Sequence, residues 1–444
     1  MDISIVARPA RYPVTASLFT VVFVVALSAS VGVRLWLARR QIAFVGANRD
    51  AVPAAFAERV GISAHRKAAD YTVAKQRLAM LHTLADALLL LGMTLGGGLA
   101  AIIAWTETIA IGPLWRDVLM FVAAGVVYGI VNLPFSWWHT FRIEERFGFN
   151  RMTLTLWLAD LAKGLAIAVV LGLPLLVLIL WLMRVAGTLW WLWAWGAWMV
   201  FQVLVLVLYP TLIAPLFNKF TPMGESPARQ RVEALVARCG FKSAGLFVMD
   251  GSKRSGHGNA YFTGFGKAKR IVFFDTLLAR LAPDEIEAVL AHELGHYKLK
   301  HVAKRIAWSA ALSLAILALL AFLAVEPWFY AGLGIPEAML PVAFGRPGVA
   351  LQLFLLALPV FTFMLEPLSA LYSRRHEFEA DAFATRHASA VALALALVKM
   401  YEDNAATLTP DPLHSAFYDS HPPAAIRIAH IEALAGAAPL AIAA

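Results

Sequence analysis

Seven stretches of this chain are long and apolar enough to cross a membrane as helices. A span needs about 20 apolar residues to cross about 30 Å of hydrocarbon. Only 15% of the residues are charged, against roughly 25% in soluble proteins. We therefore predict an integral membrane protein. The expected spans lie at about residues 14–37, 83–105, 117–138, 164–183, 189–212, 304–325 and 350–370.

The first stretch can be interpreted as a cleaved signal peptide or as a permanent helix. An apolar run followed by small residues is typical of a secretory signal. However, Arg34, Arg39 and Arg40 end the run, and carrying them across the membrane would oppose the tendency of Lys and Arg to stay on the cytoplasmic side. We therefore expect an uncleaved first helix.

Basic residues alternate between the predicted loops. Three loops are rich in Lys and Arg and three carry one Arg each, namely 38–80, 139–163 and 219–303 against 106–116, 184–188 and 326–349. This pattern predicts an N-terminus outside and a C-terminus in the cytoplasm. The alanine-rich composition suggests a bacterial inner membrane. No nucleic-acid partner is expected from the net charge of +9, because no basic stripe with interleaved aromatic residues is present.

The longest hydrophilic stretch, residues 219–303, predicts a small folded unit between the fifth and sixth spans. Residues 245–250 and 270–275 are short runs of β-branched and aromatic residues, as strands are. The chain from 283 to 305 has the pattern of one helix, with acidic residues at its start and cations towards its end. Cys239 is the only cysteine, which excludes an intramolecular disulfide and a cysteine-based zinc site.

The stretch HELGH at 292–296 has the spacing of a zinc site. On a helix, His292 and His296 share one face with β-carbons about 5 to 6 Å apart, so both imidazoles reach one zinc ion at about 2.0 Å. Glu293 is placed to contact a water on the metal. This is the metallopeptidase arrangement, in which the Glu takes a proton from the water and passes it to the leaving amine. The motif alone also permits a solvated His/Glu helix face.

Zinc in such a site needs a third protein ligand while its fourth position stays open for water. Glu377 and Asp381 lie four residues apart just after the seventh span. We predict that Glu377 binds zinc and that Asp381 receives the free N–H of a ligating His. Glu379 is about 200° round the helix from Glu377 and is expected to point elsewhere. His301, five residues past His296, is expected to be exposed near the membrane surface.

Five further stretches occur in order from about residue 140 to 428. They are FRIEERFGFNRMT (141–153), YPTLIAPLFNKFTPM (209–223), MDGSKRSGHGNAYFTGFGKAKRIVFFDTLL (249–278), SRRHEFEADAFA (373–384) and HPPAAIRI (421–428). Together with HELGH, they resemble the type I CAAX prenyl endopeptidases. This family of integral-membrane zinc metalloproteases belongs to the gluzincins and is related to the HtpX-like proteases.

The resemblance implies an all-α integral membrane protein. Its seven transmembrane helices would form a barrel around a large water-filled chamber with side openings, joined to a small α+β zinc-peptidase domain. It further implies that His292, His296 and Glu377 bind one zinc per chain, and that Glu293 is the general base and acid.

Three residues far from HELGH also gain roles from the resemblance. Asn259 would lie on or beside an edge strand that pairs with the substrate backbone. His421 would donate to the oxyanion of the tetrahedral intermediate, and Arg427 would brace Asp381. Taken alone, Asn259 can be interpreted as a turn residue, His421 as a loop histidine and Arg427 as a surface arginine.

On this basis the chain divides into four parts. Transmembrane helices one to five occupy 1–218, and the zinc-peptidase insert with the HELGH helix occupies 219–303. Transmembrane helices six and seven follow in 304–370, and C-terminal cytoplasmic helices that carry the third zinc ligand occupy 371–444.

These features predict a membrane-embedded zinc metalloendopeptidase. Its partners would be membrane lipid and a peptide or protein substrate, prenylated at its C-terminus if CAAX processing carries over. One alternative is a quality-control protease for misfolded or stalled membrane proteins, as in the HtpX-like relatives. A more remote alternative is a transporter or channel, because Asp86, Asp117, Asn132 and Asp160 lie in or at the ends of spans.

Overall fold

The membrane helices close into a ring in this computed structural model, which describes residues 14–241, 245–263 and 269–436. Each span packs against the next, and the last packs against the first. Six of the spans run without a sharp bend, and the second span along the chain is a bent pair of helices. The predicted barrel of seven spans is thereby confirmed. They are α1 (Ala16–Ala47), α2 with α3 (Ile62–Met93 and Gly98–Glu107), α4 (Pro113–Trp138), α5 with α6 (Leu154–Ile167 and Leu173–Val185), α7 (Trp190–Leu208), α12 (His301–Leu323) and α15 with α16 (Pro347–Thr362 and Glu366–His387).

Most of the spans leave their apolar surface uncovered by protein. In five of the six unbroken spans, at most 17% of the most apolar window is buried, whereas the value is 61% for the span of α15 and α16. Apolar helix surface without a protein partner is what a lipid bilayer covers. The chain is therefore a multi-pass integral membrane protein, and the inner packing is concentrated on its last span.

The predicted second span differs most from its expected bounds. It begins about 20 residues earlier than predicted, at Ile62, and bends by 47° between α2 and α3. The bend lies beside Gly97, whose φ of +77° suits glycine. A Cβ on Gly334 would lie 2.4 Å from the carbonyl oxygen of Thr94, so this tight contact also depends on a glycine. The early start shows that good helix formers continue a span beyond its apolar part.

The single arginines of the three weakly charged loops meet in one cluster. Arg184 and Arg346 bind the two carboxylate oxygens of Asp117 at 2.6 and 2.8 Å. Arg346 also binds Glu107 at 3.0 Å, and Arg116 pairs with the same carboxylate. Because Asp117 is buried and fully paired, it is a structural ion-pair centre that joins three loops at one end of the barrel.

The small sheet has four strands in the order β1-β2-β4-β3, with β2 and β4 parallel and the outer pairs antiparallel. The two predicted strands are confirmed. The other two lie at the ends of the strand order and were not predicted from the residue pattern. Among the described residues, β3 has one neighbour and so forms an edge. The strands are β1 (Phe220–Pro222), β2 (Leu246–Met249), β3 (Ala260–Thr263) and β4 (Arg270–Phe274).

The HELGH helix lies at the centre of the peptidase core. This helix, α11 (Pro283–Lys298), packs against α9 (Pro227–Arg238), α16, α17 (Ala390–Asp403) and β3. Its buried apolar side chains share one core with the sheet. The core therefore combines residues 219–303 with the C-terminal helices. The remaining helices are α8 (Ala214–Phe217), α9 (Pro227–Arg238), α10 (Asp275–Leu278), α11 (Pro283–Lys298), α13 (Pro327–Gly332), α14 (Leu340–Phe344), α17 (Ala390–Asp403), α18 (Pro412–Tyr418) and α19 (Ala424–Leu434).

The prediction of one continuous helix from 283 to 305 is wrong. The helix ends at Lys298, and the membrane span α12 starts separately at His301. Lys300 between them has a φ of +58°, which costs a residue with a side chain about 1 to 2 kcal/mol. This left-handed residue turns the chain from the peptidase core into the membrane, and it changes where His301 points.

Candidate metal centre and active site

The three predicted metal ligands converge on one point between α11 and α16. The Nε2 atoms of His292 and His296 lie 3.2 Å apart. Glu377 places Oε1 3.3 Å from Nε2 of His296 and Oε2 3.5 Å from Nε2 of His292. Because the histidines are four residues apart on a helix, their side chains share one face, and α16 brings the carboxylate to that face.

The geometry of this cluster fits a bound divalent metal. Nδ1 of His292 lies 2.8 Å from Oδ1 of Asp381, so the ring in its neutral form donates its N–H there and leaves the Nε2 lone pair free for a metal. Nε2 of His296 lies 3.2 Å from this atom, so one cation would be within reach of both nitrogens. Glu377 Oε2 is buried with no hydrogen-bond partner among the described residues. Two imidazoles and a carboxylate are a zinc ligand set.

Small residues let α11 and α16 approach closely enough to form this cluster. A Cβ on Gly295 would lie 3.0 Å from the Cα of Ala380 and 3.1 Å from the Cβ of Phe383. Ala380 and Ala384 are themselves buried. The glycine of HELGH is therefore a packing requirement, since a side chain there would push the Glu377 helix away from both histidines.

A buried ion pair between Arg427 and Asp381 lies beside His292 and Glu377. Arg427 on α19 contacts the two oxygens of Asp381 at 2.6 and 3.0 Å. Its Nη1 also lies 3.6 Å from Oε2 of Glu377. Arg427 is 5% exposed and Asp381 is fully buried, so each charge depends on the other. The family resemblance implied this contact, whereas the sequence alone allowed Arg427 to be a surface arginine.

The remaining predicted site residues line one cavity of about 530 Å³. Glu293, Asn259 and His421 face it together with His292 and Arg427. Nε2 of His421 lies 3.4 Å from Oε1 of Glu377, and its side chain is 60% exposed to the cavity. Asn259 directly precedes the edge strand β3 and is exposed. All eight predicted site residues therefore belong to one site.

Glu293 lies in an environment suited to a base. Desolvation by the surrounding protein raises the pKa of its carboxyl group, while nearby His292 and His296 act to lower it. A carboxylate with a raised pKa accepts a proton more readily than an exposed glutamate does.

The expectation that His301 is exposed near the membrane surface is wrong. His301 is 1% exposed. Its Nδ1 lies 2.9 Å from Nδ1 of His296, and its Nε2 lies 3.0 Å from Oε2 of Glu379. The prediction assumed one continuous helix, but the helix is interrupted at Lys300. The spacing between His296 and His301 therefore does not determine where the side chain of His301 points. Glu379 lies beside His301 and outside the group that Glu377 forms with His292 and His296.

The loop before Asn259 is held by residues that the sequence reasoning missed. Oδ1 of Asn404 accepts the Gly258 N–H at 3.1 Å and lies 3.2 Å from Nδ1 of His257. The other ring nitrogen of His257 lies 3.3 Å from Glu144, whose second oxygen accepts the hydroxyl of Tyr71. The stretch FRIEERFGF contains Glu144, but its partners Tyr71 and His257 lie 73 and 113 residues away in the chain.

Comparison with known proteins identifies the family of this chain. Residues 41–219 match the family model of the CAAX prenyl protease N-terminal region with five membrane helices, and residues 225–435 match Peptidase family M48. The chain is 38% identical to CAAX prenyl protease 1 homolog of Arabidopsis thaliana over 71% of this chain and 73% of that protein. It is 36% identical to CAAX prenyl protease 1 of Saccharomyces cerevisiae over 68% of this chain and 69% of that protein.

A solved structure shows the same fold. The crystal structure of S. mikatae Ste24p superposes with a TM-score of 0.86 at 28% identity, covering 93% of this chain and 99% of that one. The region that matches Peptidase family M48 contains every residue of the metal cluster and of the cavity named above. The chain therefore belongs to the CAAX prenyl protease family of membrane-embedded M48 metallopeptidases.

Proposed function

We propose that this protein is a zinc metalloendopeptidase that hydrolyses peptide bonds near the C-terminus of prenylated, CAAX-type proteins. The observation that carries the proposal is the convergence of His292, His296 and Glu377 on one point, beside a cavity that also holds Glu293. The names of the similar proteins support the substrate class. One zinc ion per chain is the expected complement.

The chemistry follows from the groups around the cavity. Zinc held by the three ligands would polarise the scissile carbonyl and acidify an attacking water. Glu293 faces the same cavity and takes the proton from that water. It then returns the proton to the leaving amine. Asp381 keeps His292 in the tautomer that presents Nε2 to the metal.

The cavity wall offers a place for the substrate backbone. The edge strand β3 pairs with β4 on one side, and we propose that an extended peptide adds to its other side. Oδ1 of Asn259 accepts the N–H of Ala260 at 2.8 Å, which leaves the side-chain N–H₂ to donate to a substrate carbonyl. His421, 3.4 Å from Glu377, would donate to the oxygen that becomes negative during attack.

We further propose that the active site opens towards the cytoplasm, with the N-terminus outside, and that the barrel encloses a water-filled chamber within the lipid. The alternation of basic loops supports this orientation. The orientation is also supported by the ion-pair cluster of Arg116, Arg184 and Arg346, because this cluster joins the three weakly charged loops at one end of the barrel. The bacterial inner membrane remains a proposal from composition, while the similar proteins named above come from eukaryotes.

The proposal is tested with full-length protein in detergent. Wild type is expected to hold about one zinc per chain and to cleave a farnesylated CAAX peptide. Glu293→Gln is expected to keep the zinc and lose cleavage by a factor of at least about 10². A matched control is Glu233→Gln on the exposed surface of α9, which should retain activity. Full activity of Glu293→Gln would contradict the assigned base.

The same assay separates the two protease alternatives. CAAX processing predicts cleavage of the farnesylated peptide well above that of its unprenylated twin. Equal cleavage of both peptides, together with accumulation of misfolded membrane proteins in cells that carry Glu293→Gln, would favour the quality-control reading. Of the polar residues that suggested transport, Asp117 is fully paired and Asp160 binds Arg254 at 2.7 and 2.9 Å, so neither supports a transport pathway.

A further inference from the structure

We propose that His301 and Glu379 form a hydrogen-bonded relay that orients His296, as Asp381 orients His292. The inference rests on the proposed zinc site. It adds two positioning residues that touch no substrate and bind no metal. Both lie outside the helix of His296, since His301 begins α12 and Glu379 lies on α16.

The distances define a chain of three side chains. Nδ1 of His296 lies 2.9 Å from Nδ1 of His301, and Nε2 of His301 lies 3.0 Å from Oε2 of Glu379. Both distances are normal for hydrogen bonds between ring nitrogens and their partners. His301 therefore uses both ring nitrogens, one on each neighbour.

One set of tautomers satisfies every contact. If Nε2 of His296 presents its lone pair to a metal, Nδ1 must carry the proton and donate it to His301. Nδ1 of His301 then accepts, so its own proton lies on Nε2 and is donated to Glu379. The carboxylate thus selects the tautomer of His301, and His301 selects the tautomer of His296. Such partners of metal-binding histidines raise metal affinity or activity 10- to 100-fold.

The neighbouring His376 does not make this group a second metal site. His301 and His376 are stacked, with centroids 4.0 Å apart and planes 11° apart, so their lone pairs lie in two nearly parallel planes and do not both point at one ion. Lys304 and Arg375 lie 3.7 and 3.3 Å from the carboxylate of Glu379. These cations oppose a further divalent ion and favour an ionised Glu379 that accepts a hydrogen bond.

The test compares variants that keep one half of the relay. Asn at 301 can place an oxygen where Nδ1 of the imidazole lies, next to His296, whereas Gln reaches towards Glu379 instead. Phe keeps the ring and its stacking but makes neither hydrogen bond. His376→Phe is the matched control, because it preserves the stacked pair and contacts no metal ligand.

The measurements are the zinc content of the full-length protein and the rate of zinc loss to a chelator, with thermal unfolding as a check on folding. His301→Phe is expected to lose zinc 10- to 100-fold faster than wild type. His301→Asn should recover most of that difference and His301→Gln little of it. Glu379→Gln should fall between wild type and His301→Phe, and His376→Phe should match wild type.

Two outcomes would overturn the relay. Equal zinc-loss rates for folded wild type and His301→Phe would show that His296 needs no partner. Two zinc ions in wild type, with one lost in His376→Phe, would show that His301, His376 and Glu379 hold a metal themselves. Failure of the proposed function looks different, because wild type would then contain no zinc.

Discussion

Arg427 and Asp381 lie 46 residues apart in the chain and form a buried two-fold ion pair, with contacts of 2.6 and 3.0 Å. Removing one partner of such a pair leaves an unpaired buried charge, which costs about 3 to 5 kcal/mol. We expect Arg427→Gln to lower the unfolding temperature strongly. The double variant Arg427→Gln/Asp381→Asn should be more stable than Arg427→Gln alone, as measured by thermal unfolding in detergent. A less stable double variant would show that the two charges act independently.

Substitutions of Glu377 and of Glu379 should affect zinc binding in different ways. Glu377 faces Nε2 of both His292 and His296, whereas Glu379 contacts His301 and neither of these two histidines. Glu377→Ala is expected to abolish stoichiometric zinc binding, because two histidines alone form an incomplete site. Glu379→Ala should still bind one zinc but release it faster. Metal analysis after extensive dialysis distinguishes the two, and equal zinc loss on dialysis would contradict Glu377 as the third ligand.

A side chain at Gly295 should displace the helix that carries Glu377. The Cβ of Gly295→Ala would lie 3.0 Å from the Cα of Ala380, so α16 must shift by a few tenths of an ångström and carry Glu377 with it. We expect weaker zinc binding and lower activity. The control is Gly129→Ala in the span α4, where a Cβ meets nothing within 4 Å and alanine favours the helix by up to about 1 kcal/mol. Unchanged zinc affinity in Gly295→Ala would show that α16 adapts freely.

The loop before the edge strand should control substrate binding without affecting the metal. His257 connects Glu144 and Asn404, and Asn404 holds the backbone of Gly258 next to Asn259. Asn404→Leu is therefore expected to raise KM for a peptide substrate several-fold while leaving the zinc content unchanged. Steady-state kinetics and metal analysis on the same sample check this. An unchanged KM would mean that the loop keeps its place without these bonds.

The convergence of the candidate metal ligands could be predicted because their geometry is local. His292 and His296 are fixed by helical spacing, and Glu377 with Asp381 repeats that spacing on a second helix. The spans could be predicted because each carries its own apolar signal. Asn259, His421 and Arg427 have no local signal and were assigned only through resemblance to a family. Their contacts depend on how α11, α16 and α19 pack.

His301 shows where sequence reasoning ended. Its direction depends on the positive φ of Lys300, and lysine gives no hint of a left-handed turn. The charge cluster at the barrel end is similar. Arg116, Arg184 and Arg346 were noted only as sparse loop charges, and their meeting around Asp117 and Glu107 follows from closure of the ring, which no single segment encodes.

The link between the first membrane helix and the C-terminal region should depend on pH. Arg40 binds both oxygens of Asp411 at 3.2 and 2.9 Å, and Asp411 also accepts the backbone N–H of His414. Burial acts to raise the pKa of Asp411, but these hydrogen bonds outweigh it and hold the pKa below its ordinary value. Such a group contributes stability above its unfolded pKa of about 4, and that stability is lost as the pH falls further.

Asp411→Asn should therefore be less stable than wild type at pH 7, by about 1.5 to 3 kcal/mol for hydrogen bonds to a charged group. The difference should shrink below about pH 4, where wild type loses its advantage. Thermal unfolding between pH 3 and 8 measures both. The control is Asp50→Asn, whose exposed ion pairs with Arg49 and Arg66 contribute about 0 to 1 kcal/mol. If the stability difference between wild type and Asp411→Asn stayed constant down to pH 3, the charge of Asp411 would not be the source of its contribution.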